Sequence, residues 1–162
     1  IGRVKKAKSD IEKALNVKIE ITNGDINIEG KDAVSEYTAK KVIEAVDLGF
    51  DARSALQLKS EDFMMEVVNI KDHTRSSRWK TIKGRIIGER GRSKEVISEL
   101  TDCDIAIKDY NVGIIGRTHD VDVAVQAIKD LIQGSPHSNV YSYLERSRKL
   151  RKIKFEEEEN LK

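Results

Sequence analysis

The 162 residues carry 30 basic and 28 acidic side chains for a net charge of +2, so there is no bulk positive charge to hold nucleic acid and any such contact has to come from local clustering. A single cysteine, Cys103, excludes an internal disulfide framework and a four-cysteine zinc site and fits a reducing, cytoplasmic setting. No apolar run approaches the roughly 18 residues of a membrane span, yet at 38% hydrophobic the chain can still pack one ordinary core or two small ones.

Val4, Ala7, Ile11, Ala14 and Leu15 recur at helical spacing and predict an opening helix. Val17 to Ile21 alternates as a strand does. Asn23-Gly24-Asp25 comes next as a hairpin turn, because Asn and Gly tolerate positive φ, and a second strand holds Ile26 and Ile28 and ends at Gly30. A longer helix carries Ala39 and Ile43 and stops at Gly49. Residues 50–58 form a short connecting helix without a Gly/Ser/Pro linker, so the second half is expected to be docked on the first rather than tethered to it.

The second half opens with a strand over residues 63–70 and a polar loop over residues 71–80. It then repeats the first half at a shift of 86 positions. Ile11 falls on Ile97, Ile19 and Ile21 on Ile105 and Ile107, Ile26 and Ile28 on Val112 and Ile114, and Gly30 on Gly116. With a slip of one, Ala39, Ile43 and Gly49 fall on Ala124, Ile128 and Gly134. The closing helix has the stripe Val121, Ala124, Val125, Ile128, Leu131 and Ile132, ended by Gly134 and Pro136. The chain thus predicts an α+β fold with two copies of one module, each a three-stranded sheet with helices on one face. Residues 1–58 form the first module, N-terminally incomplete. Residues 59–145 form the second, and 146–162 a charged tail, basic and then acidic.

The stretch Lys83-Gly84-Arg85-Ile86-Ile87-Gly88-Glu89-Arg90-Gly91-Arg92-Ser93-Lys94 carries the chemistry. Glycines without Cβ let a phosphodiester approach the main chain. The helix after them offers unpaired N–H groups and the positive end of its dipole. Arg85, Arg90, Arg92 and Lys94 add charge, and Ile86 and Ile87 are candidate floor for bases. A Walker loop fails because no Lys-Ser or Lys-Thr follows the glycines, and a dinucleotide fingerprint fails for want of its Gly spacing. Binding residues are therefore expected from Arg85 through Lys94, Ser93 included.

In this frame the module resembles a type I KH domain, whose Gly-x-x-Gly loop clamps about four nucleotides of single-stranded nucleic acid. Leu48 to Leu56, Gly84 to Gly91 and the run Gly134-Ser135-Pro136-His137-Ser138-Asn139-Val140-Tyr141 narrow the resemblance. They are similar to the archaeal and eukaryotic tandem-KH family of small-subunit ribosome-assembly factors called Dim or "partner of Nob". That resemblance implies binding near the 3′ end of small-subunit rRNA and partnership with a Nob-type endonuclease or another assembly factor, with no cofactor, metal or membrane.

By the same shift Gly2 matches Gly88, but Lys5 stands where Gly91 should. Either the first loop is degenerate or residues are absent before or within it. Gly2, Arg3, Lys5 and Lys6 are accordingly candidate RNA or partner contacts, as are Trp79, a candidate base-stacking ring, and His137, which lies in the family-like run. The tail with Arg146, Arg148, Lys149 and Arg151 reads first as a solvated helix or a loose tail, and phosphate contact by these four is the sharper alternative. No catalytic arrangement of Ser, His and Asp or of paired carboxylates is present, so no enzyme is expected. The competing readings are a KH adaptor of an RNA-degrading or transcription complex, which would carry an S1-type barrel, and a protein-interaction scaffold with idle grooves.

Overall fold

The computed structural model describes residues 1–161. Helix α1 (Gly2–Leu15) buries Val4, Ala7, Ile11 and Leu15 and ends at Asn16 in the left-handed region, φ 53°. Strands β1 (Lys18–Thr22) and β2 (Asp25–Glu29) form an antiparallel hairpin that pairs Ile19 with Ile28 and Ile21 with Ile26. Helix α2 (Ala33–Leu48) starts at Asp32, whose carboxylate accepts from the Ser35 N–H at 2.8 Å. That hydrogen bond draws the Asp32 pKa below its ordinary value. Helix α3 (Ala52–Leu56) is capped in the same way by Asp51.

The second half is built from β3 (Phe63–Asn69), α4 (Trp79–Ile87), α5 (Arg92–Thr101), β4 (Asp104–Lys108), β5 (Asn111–Arg117), α6 (Thr118–Ile132) and α7 (His137–Asn160). Its antiparallel sheet runs β3-β5-β4, with β5 central. Helices α4, α5 and α6 bury Ile82, Ile86, Ile97, Val121, Ile128 and Leu131 against one face, and Val140 and Leu144 of α7 join the same core.

The shift of 86 holds at positions where backbone geometry is demanding. Asn16 and Asp102 both end a helix at φ 53° and 54°, and Asn23 and Asp109 both turn a hairpin at φ 51° and 54°. A Cβ on Gly30 would meet Val17 at 3.1 Å, and one on Gly116 would meet Cys103 Sγ at 2.6 Å. In both hairpins, β1-β2 and β4-β5, a glycine at the far end of the later strand makes room for the residue just before the earlier one.

Three expectations meet the structure here. The first half shows a two-stranded sheet among the described residues, the three-stranded module without its opening strand, as an incomplete first module predicts. Two strands are marginal alone. Here the hairpin shares a core with α1 and α2 that also takes in Ala106 and Ile115 from the second sheet. Secondly, residues 2–5 are helical where residues 88–91 are a turn, so α1 extends through the place of the clamp. Thirdly, α7 is one helix through residue 160, because nothing between 137 and 160 breaks it, and no boundary falls at 145/146. Tyr141 and Tyr143 sit on this helix and pack against the core.

Cys103 is 1% exposed, and burial pushes its thiol up to about 12. A thiol-specific reagent at neutral pH is expected to modify it only after unfolding, a slowing of at least about tenfold in native buffer. Labelling of the native protein at the denatured rate would show that Cys103 is accessible.

Candidate nucleic-acid interface

Helix α4 ends at Gly88, whose φ of 76° and ψ of 173° suit glycine alone. A Cβ there would lie 2.6 Å from both the Cβ and the N of Ser93, so the backbone folds directly onto α5. Glu89, Arg90 and Gly91 make a tight turn with Arg90 at φ 54° and Gly91 at φ 75°. Gly91 has no neighbour where a Cβ would be, so its open side faces outward. No side chain caps the N-terminus of α5, which leaves its first N–H groups beside the turn. Glu89, Arg90 and Arg92 are exposed, and Lys94 is half-buried.

Next to the turn lies an open groove of about 610 Å³. Ile87, Gly91 and Lys94 line one side, and Asp104 to Ile107 of β4 line the other. Because β4 is an edge strand, its outer main-chain groups are free of sheet pairing and available to a base edge. Phe50, Asp51 and Ser54 close the far wall from the first half, with Arg3 at the rim. These three wall residues lie in the family-like run Leu48 to Leu56, far in sequence from the glycine turn, and only docking of the two halves brings them to the groove. Glu95, Glu99 and Asp104 also line the groove, so it is mixed in charge and the cations gather at the turn.

Three residues expected to touch RNA are placed elsewhere. Ile86 is fully buried, on the core face of α4, and only Ile87 reaches the groove. Ser93 is 2% exposed, held under Gly88. Arg85 donates to the Leu131 and Ser135 carbonyls, the latter at 2.7 Å, and so secures the C-terminal end of α6. His137 meets the Arg85 carbonyl through Nε2 at 2.8 Å. Arg85, Ser135 and His137 thus brace the end of α4 that carries the turn, and in this role His137 is a structural residue.

Gly2, Arg3, Lys5 and Lys6 are exposed on α1, and of these only Arg3 reaches the groove. Arg151 bonds Asp120 at 2.8 Å and the Leu100 carbonyl at 2.8 Å, which pins α7 to α5 and α6 and takes this cation out of phosphate binding. Burial raises the Asp120 pKa above the ordinary carboxylate value, against the pull of Arg151. Trp79 is half-buried beside Tyr110, ring centroids 6.0 Å apart, with the Lys71 ammonium 4.3 Å above its ring.

The order β3-α4-α5-β4-β5-α6, with the glycine turn between its first two helices, bears directly on family. A model of the eukaryotic-type KH domain (KH-domain type I) matches residues 64–149. A KH domain-containing protein of Methanocaldococcus jannaschii is 34% identical over 96% of this chain and 72% of its own length. The RNA-binding protein pno1 of Drosophila pseudoobscura is 35% identical over 63% of this chain and 44% of its own. Dim2p of Pyrococcus horikoshii, solved as an a/eIF2alpha–aDim2p–rRNA complex, superposes with a TM-score of 0.81 at 32% identity, over 89% of this chain and 83% of that one. The chain belongs to the Pno1/Dim2 family of type I KH proteins. It spans less than half of the fly relative. The matched KH stretch runs from β3 into α7 and contains the whole turn and both of its flanking helices.

Proposed function

We propose that this protein is a non-catalytic RNA-binding factor of small-subunit ribosome maturation, which holds single-stranded rRNA at residues 87–94 and along β4. One observation carries the reading: an uncapped helix N-terminus and an open glycine turn border a groove whose opposite wall is an unpaired strand edge. Phosphates would sit at Arg90, Arg92, Lys94 and the first N–H groups of α5, and bases would lie on Ile87 against β4. The rRNA complex of the related Dim2p supports the choice of RNA.

The first half is, in this reading, a second KH copy that lacks its opening strand and its clamp. Its turn-less α1 leaves it to face a protein, such as a Nob-type endonuclease or another assembly factor. We place the work in the cytoplasm. No helix among the described residues is long and apolar enough to cross a membrane.

Crosslinking the protein to cellular RNA tests the assignment. Crosslinks are expected to concentrate near the 3′ end of the small-subunit rRNA, at least about tenfold over messenger RNA, as a specific over a non-specific site requires. Crosslinks scattered over messenger RNA would refute the ribosomal role and leave RNA binding standing.

A further inference from the structure

We propose that the RNA path extends past the clamp onto an aromatic platform made of Trp79 and Tyr110, with Lys71 and Lys83 as its phosphate contacts. This rests on the groove as the RNA site and adds a base-stacking subsite to it.

The platform lies one turn of α4 from the groove. Ile87 lines the groove, and Lys83 lies one helical turn before it on the same face of α4, about 6 Å along the axis. That rise is close to the step of one extended nucleotide. Lys83 Nζ is 5.8 Å from the centre of the Tyr110 ring. Lys71 Nζ lies 5.0 Å from the Tyr110 ring centre and 4.3 Å from that of Trp79. Two ammonium groups and two rings therefore meet outside the groove's own lining, on the side of Ile87 that leads back along α4.

The surrounding charge points to a polyanion. Lys71, Arg75, Arg78, Lys80 and Lys83 lie within thirteen residues that contain one acidic side chain, Asp72. Among the described residues none of the five forms a salt bridge. In a chain of net charge +2 this is an unusual concentration of unpaired cations. A buried structural role explains neither the lysines, of which Lys71 is exposed and Lys83 half-buried, nor their place over ring faces. The ammonium over the Trp79 ring is a cation–π contact, so this face of the ring is not covered by the core. On binding, a base would take the place of the Lys71 ammonium above the rings, and Lys71 would turn to the adjoining phosphate. Stacking of one base is worth a factor of about ten in affinity, and it tolerates any base because each has a π-face.

Trp79 is the protein's one tryptophan, so its emission reports this site alone. The probes are the single-stranded RNAs (CA)4 and (CA)2, with binding followed by anisotropy and Trp79 fluorescence together. The octamer is expected to bind about tenfold more tightly than the tetramer and to quench Trp79, and the tetramer to bind without quenching. Trp79→Leu, which keeps apolar packing on the core, is expected to bring the octamer's affinity down to the tetramer's. Octamer binding with unchanged emission, or equal affinities for the two RNAs in the wild type, overturns the platform and leaves the groove in place. Tetramer affinity untouched by replacing Glu89 and Arg90 with aspartate overturns the groove itself, and the platform as its extension.

Discussion

Replacing Glu89 and Arg90 together with aspartate is expected to weaken single-stranded RNA binding by about a hundredfold, with the melting temperature within about 3 °C of the wild type. The two halves of that expectation have separate causes. Arg90 sits at the tip of the turn, exposed and with no salt bridge among the described residues. A carboxylate there replaces an attraction to phosphate with a repulsion. Glu89→Asp keeps the charge but shortens the side chain, which brings its carboxylate nearer the main chain along which the phosphate runs. Like charges brought together at an interface cost several kcal/mol.

The fold should tolerate both changes. Arg90 has φ 54° and ψ 28°, and aspartate is among the few residues that visit that left-handed region readily. Neither side chain packs in the core, and exposed substitutions of this kind usually stay within about 0.5 kcal/mol. Loss of one phosphate contact should also flatten the salt dependence of binding by about one unit of slope. A folded double variant with wild-type affinity would mean that RNA does not use this turn.

Much of this site was legible because the backbone itself is constrained there. Asn16, Asp102, Asn23 and Asp109 keep positive φ at positions 86 apart, and only a few residue types satisfy such positions, so the pattern is visible in the sequence despite little identity. Gly88 and Gly91 were legible for the same reason. The features that stayed hidden depend on distant partners. Arg85 looks like any basic residue beside a glycine turn until the Leu131 and Ser135 carbonyls, 46 and 50 residues away, are in place. Ile86 and Ile87 are adjacent apolar residues, and only the direction of the core decides that the first is buried and the second faces the groove. Along α7, a basic block before a run of glutamates suits a helix as well as a loose tail. Anchoring by Arg151, Val140 and Leu144 settles it as a helix.

Gly113→Ala is expected to destabilise the protein by about 2 kcal/mol, and Gly113→Val by more, through the contact between the two halves. Gly113 lies mid-way along the central strand β5, opposite Val67 of β3 and Ala106 of β4. Its neighbours Val112 and Ile114 point into the core under α6, so Gly113 faces the other side of the sheet. There a Cβ would come within 2.8 Å of Phe50 Cε2 and closer still to Leu48 Cδ2. Leu48 ends α2, and Phe50, 5% exposed, continues from it into the wall of the groove.

Alanine in place of strand glycine would ordinarily gain about 0.5–1 kcal/mol from chain entropy. A net loss therefore measures how tightly the first half is seated on the sheet. In thermal unfolding the alanine variant should melt about 4–8 °C below the wild type. Affinity for a four-nucleotide RNA should change little, since the turn at residues 88–91 hangs on α4 and α5 rather than on this contact. A neutral or stabilising Gly113→Ala would mean that Leu48 and Phe50 yield freely and that the two halves are loosely joined. A large loss of tetramer binding would instead make the wall of Phe50, Asp51 and Ser54 a principal part of the clamp.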